Sequence, residues 1–223
     1  MKKKVIITGS SGMIGKGVLL ECLDSEKIES ILIINRSSIN TQHPKLKEVL
    51  LKDFTKVATI KEELSGYDAC LFCMGVSAVG MNEVDYTKIT YDSPVAFADV
   101  LHQINPKMTF NYISGQGSDG TEKSNQMWKR VKGRAENAIL NKGFGNAFAF
   151  RPGAIIPERG IKSRTGWYNT MYMIIRPLFP LFKMSKSVTT TTSIGQAMIN
   201  SLFTNLRNQV LEGADINEMA KSC

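Results

Sequence analysis

Gly9, Gly12 and Gly15 recur every three residues between the β-branched run Val5-Ile6-Ile7-Thr8 and an apolar helical pattern. A strand, a tight turn and a helix start read directly from that order. Backbone N–H groups at a helix start have no intrahelical acceptor, and the helix dipole adds positive charge there. The turn built from Gly9, Ser11, Gly12, Met13, Ile14 and Gly15 therefore suits a pyrophosphate. The second strand ends about 20 residues further on, at Asn35-Arg36, where the ribose of a dinucleotide is read. An acidic residue there would bind both hydroxyls of an unphosphorylated ribose. Arg36, followed by Ser37 and Ser38, offers donors to a 2′-phosphate instead. That chemistry favours NADP over NAD.

The elements that must hold these residues alternate along the chain. Strands are predicted over Val5 to Thr8, Ser30 to Asn35, Val49 to Lys52, Ala69 to Met74, Met108 to Ser114 and Ala147 to Arg151. Helices are predicted over Met13 to Leu23, Lys56 to Leu64, Val84 to Gln103 and Glu122 to Asn141. Near-continuous apolar strands separated by helices imply a doubly wound α/β fold, a parallel sheet covered on both faces. After Arg151-Pro152-Gly153 the alternation stops, and Pro157, Gly160, Gly166, Pro177 and Pro180 punctuate an irregular region. The expected organisation is a Rossmann core over 1–155. Residues 156–223 would form a small substrate-side cap and a C-terminal helix of the same domain.

With 28 basic against 20 acidic residues the chain carries a net charge of +8, but the cations are scattered and form no stripe interleaved with aromatics. Nucleic-acid binding is not expected. The apolar stretch Trp167 to Phe182 is interrupted by Arg176, Pro177 and Pro180, which excludes a transmembrane helix. Arg159, Lys162, Arg164, Lys183 and Lys186 flank it, so peripheral contact with an anionic membrane is the lesser alternative to a cap. Cys22, Cys70, Cys73 and Cys223 are few, and no secretory segment precedes the first strand. Reduced thiols and a cytoplasmic setting are expected. Cys70 and Cys73 have the C-x-x-C spacing, but on a strand they face opposite sides and read as core. His43 and His102 stand alone, so no metal site is expected.

Thr8-Gly9-Ser10-Ser11-Gly12-Met13-Ile14-Gly15 resembles the fingerprint of the short-chain dehydrogenase/reductase superfamily, in its extended and atypical branches. The resemblance runs in order through about the first 155 residues. It implies that Asp53-Phe54 contacts adenine and that Cys73-Met74-Gly75 passes the adenosine ribose. It further implies that Tyr112-Ile113-Ser114 carries the family's serine and that Arg151-Pro152-Gly153 brings backbone atoms near the nicotinamide. Ser114 to Asp119, followed by Val131 to Glu136, is similar to the atypical group of TIP30-like oxidoreductases and bacterial nucleoside-diphosphate-sugar epimerases. The implied protein is an NADP(H)-binding oxidoreductase acting on a small-molecule substrate. By the same resemblance the helix from Val84 to Gln103 would form a homo-oligomer face.

One departure stands out. The family's Tyr-x-x-x-Lys pair reads Trp128-Lys129-Arg130-Val131-Lys132 here. Lys132 is in place, while Trp128 occupies the tyrosine position, and an indole N–H neither ionises at a useful pH nor accepts a proton. Three explanations stand open. Tyr86, Tyr168 or Tyr172, or Ser114 through water, supplies the proton. Alternatively, the chain binds NADP(H) as a regulator of little or no activity. In the third, Trp128 stacks on a planar substrate.

Overall fold

A computed structural model describes residues 1–161, 187–207 and 209–222. Strands β1 (Lys3–Thr8), β2 (Ile28–Asn35), β4 (Ala69–Phe72), β5 (Thr109–Ile113) and β6 (Asn146–Arg151) are buried over most of their length, as their unbroken apolar runs require. β3 (Leu46–Leu50) lies at one edge and β9 (Gln209–Glu212) at the other. Both are short and only partly buried. Among the described residues the main sheet has seven parallel strands in the order β3-β2-β1-β4-β5-β6-β9. This is the doubly wound α/β arrangement. A separate parallel pair joins β7 (Ile155–Ile156) to β8 (Thr189–Thr190).

Two apolar layers sandwich the sheet. On one face Val5, Ile7, Ile31 and Ile33 meet α1 (Met13–Asp24), α5 (Thr191–Asn200) and α6 (Gly213–Lys221). On the other, Ile6, Leu32, Phe72 and Phe110 meet the 3-10 helix Phe54–Leu64, α3 (Ser93–Ile104) and α4 (Met127–Leu140). Cys70 packs in the second layer and Cys73 in the first, and burial pushes both thiols far above their usual range. The C-x-x-C spacing is therefore core packing. α5 lies tightly on α1: a Cβ on Gly17 would stand 2.7 Å from the Thr191 side chain, and one on Gly195 2.6 Å from that of Glu21.

Several elements differ from the sequence-based reading. The helix expected over Val84 to Gln103 is α2 (Glu83–Thr87), a π-helical turn at Lys88–Asp92, then α3. Pro94 has no N–H to give the Thr90 carbonyl, so the chain widens its register ahead of it. Tyr112 Oη donates to that carbonyl instead, at 3.1 Å. Helix α4 starts at Met127 rather than Glu122 because Asp119 claims the intervening backbone. Its carboxylate accepts from the N–H groups of Thr121, Lys123 and Ser124 at 2.9, 3.1 and 2.7 Å. Alternation also resumes beyond Gly153, since α5, β9 and α6 join the core. The stretch Trp167 to Phe182, with Lys162, Arg164, Lys183, Lys186, Tyr168 and Tyr172, lies outside the described residues, as does Cys223.

Candidate functional site

The glycine turn sits at the carboxyl end of β1, next to β4, where the strand order reverses. In open α/β sheets this crevice is where ligands bind. Gly9 has φ +69°, and a Cβ on it would stand 2.8 Å from the Met74 backbone, so the turn rests directly on the end of β4. The Gly12 N–H donates to the Gly9 carbonyl at 2.9 Å. A Cβ on Gly15 would collide with that same carbonyl. α1 then begins at Met13 with Gly12 as N-cap, no side chain capping it and no acidic residue in its first turn. The N–H groups of this helix start, at Met13 and Ile14, are left for an anion.

Gly9, Ser11, Gly12, Asn35, Arg36, Phe54, Cys73, Met74 and Gly75 line a single recess of about 90 Å³. Most of the residues expected to hold an adenosine are thus brought together. Phe54 is held from behind by stacking on Phe97, with ring centroids 5.4 Å apart. Asp53 does not line the recess. Its carboxylate caps the 3-10 helix, accepting from Thr55 N–H at 3.1 Å and Thr55 Oγ1 at 2.7 Å, and those bonds hold it below the usual carboxylate range.

The corner of the recess at Asn35 and Arg36 contains a residue that sequence reasoning missed. Glu48, on edge strand β3, accepts from Asn35 Nδ2 at 3.1 Å, Ser38 Oγ at 2.5 Å and Ile39 N–H at 3.2 Å. Burial works to raise its pKa, but the bonds from Ser38, Asn35 and Ile39 bring it below the usual value. Asn35 is buried and also pairs with the Ser10 hydroxyl at 2.9 Å. Ser38 is therefore spent on Glu48 and offers nothing to a phosphate. Arg36 and Ser37 remain exposed, and Arg36 makes no ion pair among the described residues.

Across the sheet edge, Ser114 closes β5 and is 6% exposed. Its Oγ lies 2.9 Å from Ser118 Oγ, and Ser118 in turn donates to the Gly115 carbonyl at 2.8 Å. A hydroxyl has one proton, so Ser114 donates to Ser118 and keeps only acceptor capacity. Trp128, on the first turn of α4, is half-buried. Its ring edge lies 3.6 Å from the Cβ position of Gly117 and carries the Lys129 ammonium 5.6 Å from its centroid. Lys132 follows one turn later, with Nζ 4.0 Å from the Cβ position of Gly115. Burial brings the Lys132 amine down to about 8 against the opposing pull of Glu136. Pro152 accepts from Gln116 N–H at 3.1 Å, which seats Arg151-Pro152-Gly153 beside the Ser114 loop. Tyr86 is a core residue of α2, 1% exposed, with burial raising its phenol. It is not a loop-borne proton donor.

Behind Lys132 lies a second unforeseen group. Glu136, 1% exposed, accepts from Arg151 Nε at 2.9 Å and Nη2 at 2.5 Å, while Arg151 Nη1 reaches Glu212 at 3.2 Å. The only sequence signal was a glutamate one turn past Lys132 on an otherwise apolar helix face.

No family model matches the chain. It is 26% identical to Protein HTATIP2 of Rattus norvegicus over 166 residues, covering 74% of this chain and 67% of that one. It is 26% identical to the mitochondrial protein fmp52-2 of Aspergillus terreus over 159 residues, 70% of this chain and 69% of that one. Among solved structures, it resembles the Bordetella bronchiseptica enzyme WbmF in complex with NAD+, with a TM-score of 0.71 at 11% identity, covering 97% of this chain and 77% of that one. It also resembles a short chain dehydrogenase family protein from Francisella tularensis, with a TM-score of 0.65 at 12% identity, covering 94% and 96%. The fungal relatives are named as mitochondrial, which overturns the cytoplasmic expectation. That expectation rested on the few cysteines and the lack of a secretory segment; Cys22, Cys70 and Cys73 are free and buried in the core, which does not discriminate between compartments. The chain has the Rossmann fold of these dehydrogenases, and fold, glycine turn and relatives together support its likeness to the atypical branch of the short-chain dehydrogenase/reductase superfamily.

Proposed function

We propose that the chain binds a nicotinamide dinucleotide, NADP(H) in preference to NAD(H), along the carboxyl edge of its sheet and acts as an atypical oxidoreductase on a small molecule. The observation that carries this reading is the uncapped start of α1 above a glycine turn packed so tightly that a Cβ on Gly9 or Gly15 would strike backbone. Met13 and Ile14 N–H groups would hold the pyrophosphate. The recess of Asn35, Phe54, Met74 and Gly75 would hold the adenosine, and Ser114, Trp128, Lys132 and Pro152 would surround the nicotinamide end. When bound, the cofactor supplies or accepts hydride. The chain itself must orient the substrate and exchange a proton. Titration with NADPH and NADH by calorimetry tests the reading, and no heat with either removes it.

Arg36 supports the phosphate preference because its guanidinium is exposed beside the recess with no carboxylate claiming it among the described residues. The Arg36→Asp variant is expected to lose about 10–100-fold in NADPH affinity, the worth of a charge-assisted arginine–phosphate contact. NADH affinity should hold. Equal loss for both, or none, refutes the preference.

Trp128 favours a second reading, a cofactor-bound regulator with little or no turnover. A positioned acid–base group is worth about 10²–10⁴-fold in rate. Trp128→Tyr is therefore expected to raise carbonyl-dependent NADPH oxidation by that order. A parent protein whose turnover is abolished by Ser114→Ala or Lys132→Met is an enzyme. Activity seen in Trp128→Tyr alone marks the regulator.

A further inference from the structure

Lys132 sits between a residue that cannot ionise and a carboxylate that is already taken. Trp128, one turn before it, offers only an indole. Glu136, one turn after it, is clamped through both oxygens by Arg151. Lys132 itself has no hydrogen bond or ion pair among the described residues. The other charged groups on elements packed against α4 are engaged or turned outward. Glu83 pairs with Arg130, Asp99 with Lys142, and the Tyr91 ring with Arg134. Lys88 and Asp92 on the π-helical turn are exposed, Glu212 is held by Arg151, and the Tyr112 phenol is committed to Thr90.

We propose that Arg151 is a positioning residue: by holding Glu136 it keeps the Lys132 amine unpaired, free to lose and regain the proton that a tyrosine would otherwise exchange at the Trp128 position. The proposal rests on Lys132 lying at the nicotinamide end of the site. Nothing in the clamp depends on that placement. A Glu136 carboxylate released from Arg151 would turn to the nearest cation on its own helix face, one turn back, and Lys132 would stay protonated as half of an ion pair. The low titration of the amine, near 8, is what an unpaired half-buried lysine should show.

The test is competitive labelling of the cofactor-free protein with acetic anhydride across pH 6–11, with Lys132 and exposed Lys107 read by peptide mass spectrometry. In the parent, Lys132 is expected to reach half-reactivity roughly two pH units below an ordinary exposed lysine, read on Lys107; coincident curves overturn the proposal. Arg151→Met is expected to move the Lys132 curve up by at least one unit, about a tenfold loss of reactivity at pH 7.5, and no movement overturns it. Arg151→Met combined with Glu136→Gln should restore the parent curve, whereas a purely structural role for Arg151 would leave it displaced. Should Arg151→Met fail to fold, Glu136→Gln alone decides. An already sequestered carboxylate predicts a downward shift of under half a unit, and a larger one means Glu136 was paired with Lys132 all along. Because no cofactor is present, failure here leaves the dinucleotide reading untouched, and failure to bind NADPH leaves the clamp untouched.

Discussion

Gly15→Ala is expected to weaken dinucleotide binding by roughly 100-fold, about 3 kcal/mol, the value of one or two charge-assisted hydrogen bonds. The added methyl would strike the Gly9 carbonyl, and Gly9 cannot retreat because it already rests on the Met74 backbone. The turn must lift, and the N–H groups of Met13 and Ile14 then lose their aim. Overpacking of this kind also costs about 1–3 kcal/mol of stability. Calorimetry with NADPH and a thermal melt separate the two effects. A variant that melts lower yet binds as the parent would show that the turn is structural and not a phosphate cradle.

The second large effect falls on Arg151. Removing one partner of a buried ion pair leaves the other charge uncompensated, at a cost of about 3–5 kcal/mol. Glu136 is 1% exposed, so Arg151→Ala takes a two-pronged guanidinium from a buried carboxylate in the layer between α4 and β6, and the single Lys132 ammonium one turn back replaces it only in part. Glu212, N-cap of α6, loses its partner in the same step. For a chain of this size the melting temperature is expected to fall by roughly 6–20 °C. Adding Glu136→Gln should recover much of the loss, since the poorly compensated buried charge is then gone. Chemical denaturation of parent, single and double variants gives the cycle. A fall under 1 kcal/mol for Arg151→Ala would mean that solvent or Lys132 compensates Glu136 as fully as Arg151 does.

The glycine turn and the strands around it were legible because their signals are local: a β-branched run, fixed glycine spacing, then helical periodicity. What escaped was set by contacts distant in the chain. β9 offers only Val210 and Leu211 as apolar residues and becomes a strand by pairing with β6. The π-helical turn follows from Pro94, whose missing N–H interrupts a helix that periodicity reads as continuous. Asp119 unwinds the predicted start of α4 through bonds that composition does not reveal. Beside the recess, Arg36 could be picked out by its position after a strand. Glu48 could not, because 13 residues and an irregular connection separate it from the Asn35 it holds. Arg151 was legible as part of a backbone motif, while its side chain's hold on Glu136 needed the fold.

The close seating of α5 on α1 bears on where this chain could be divided. A fragment ending near residue 155 would retain every glycine of the turn and yet bare the greasy flank formed by Ile7, Val18 and Ile33, which Ile194 and Met198 normally shield. The first 155 residues are thus not a portable cassette. Any division of the chain must keep the final two helices with the glycine turn.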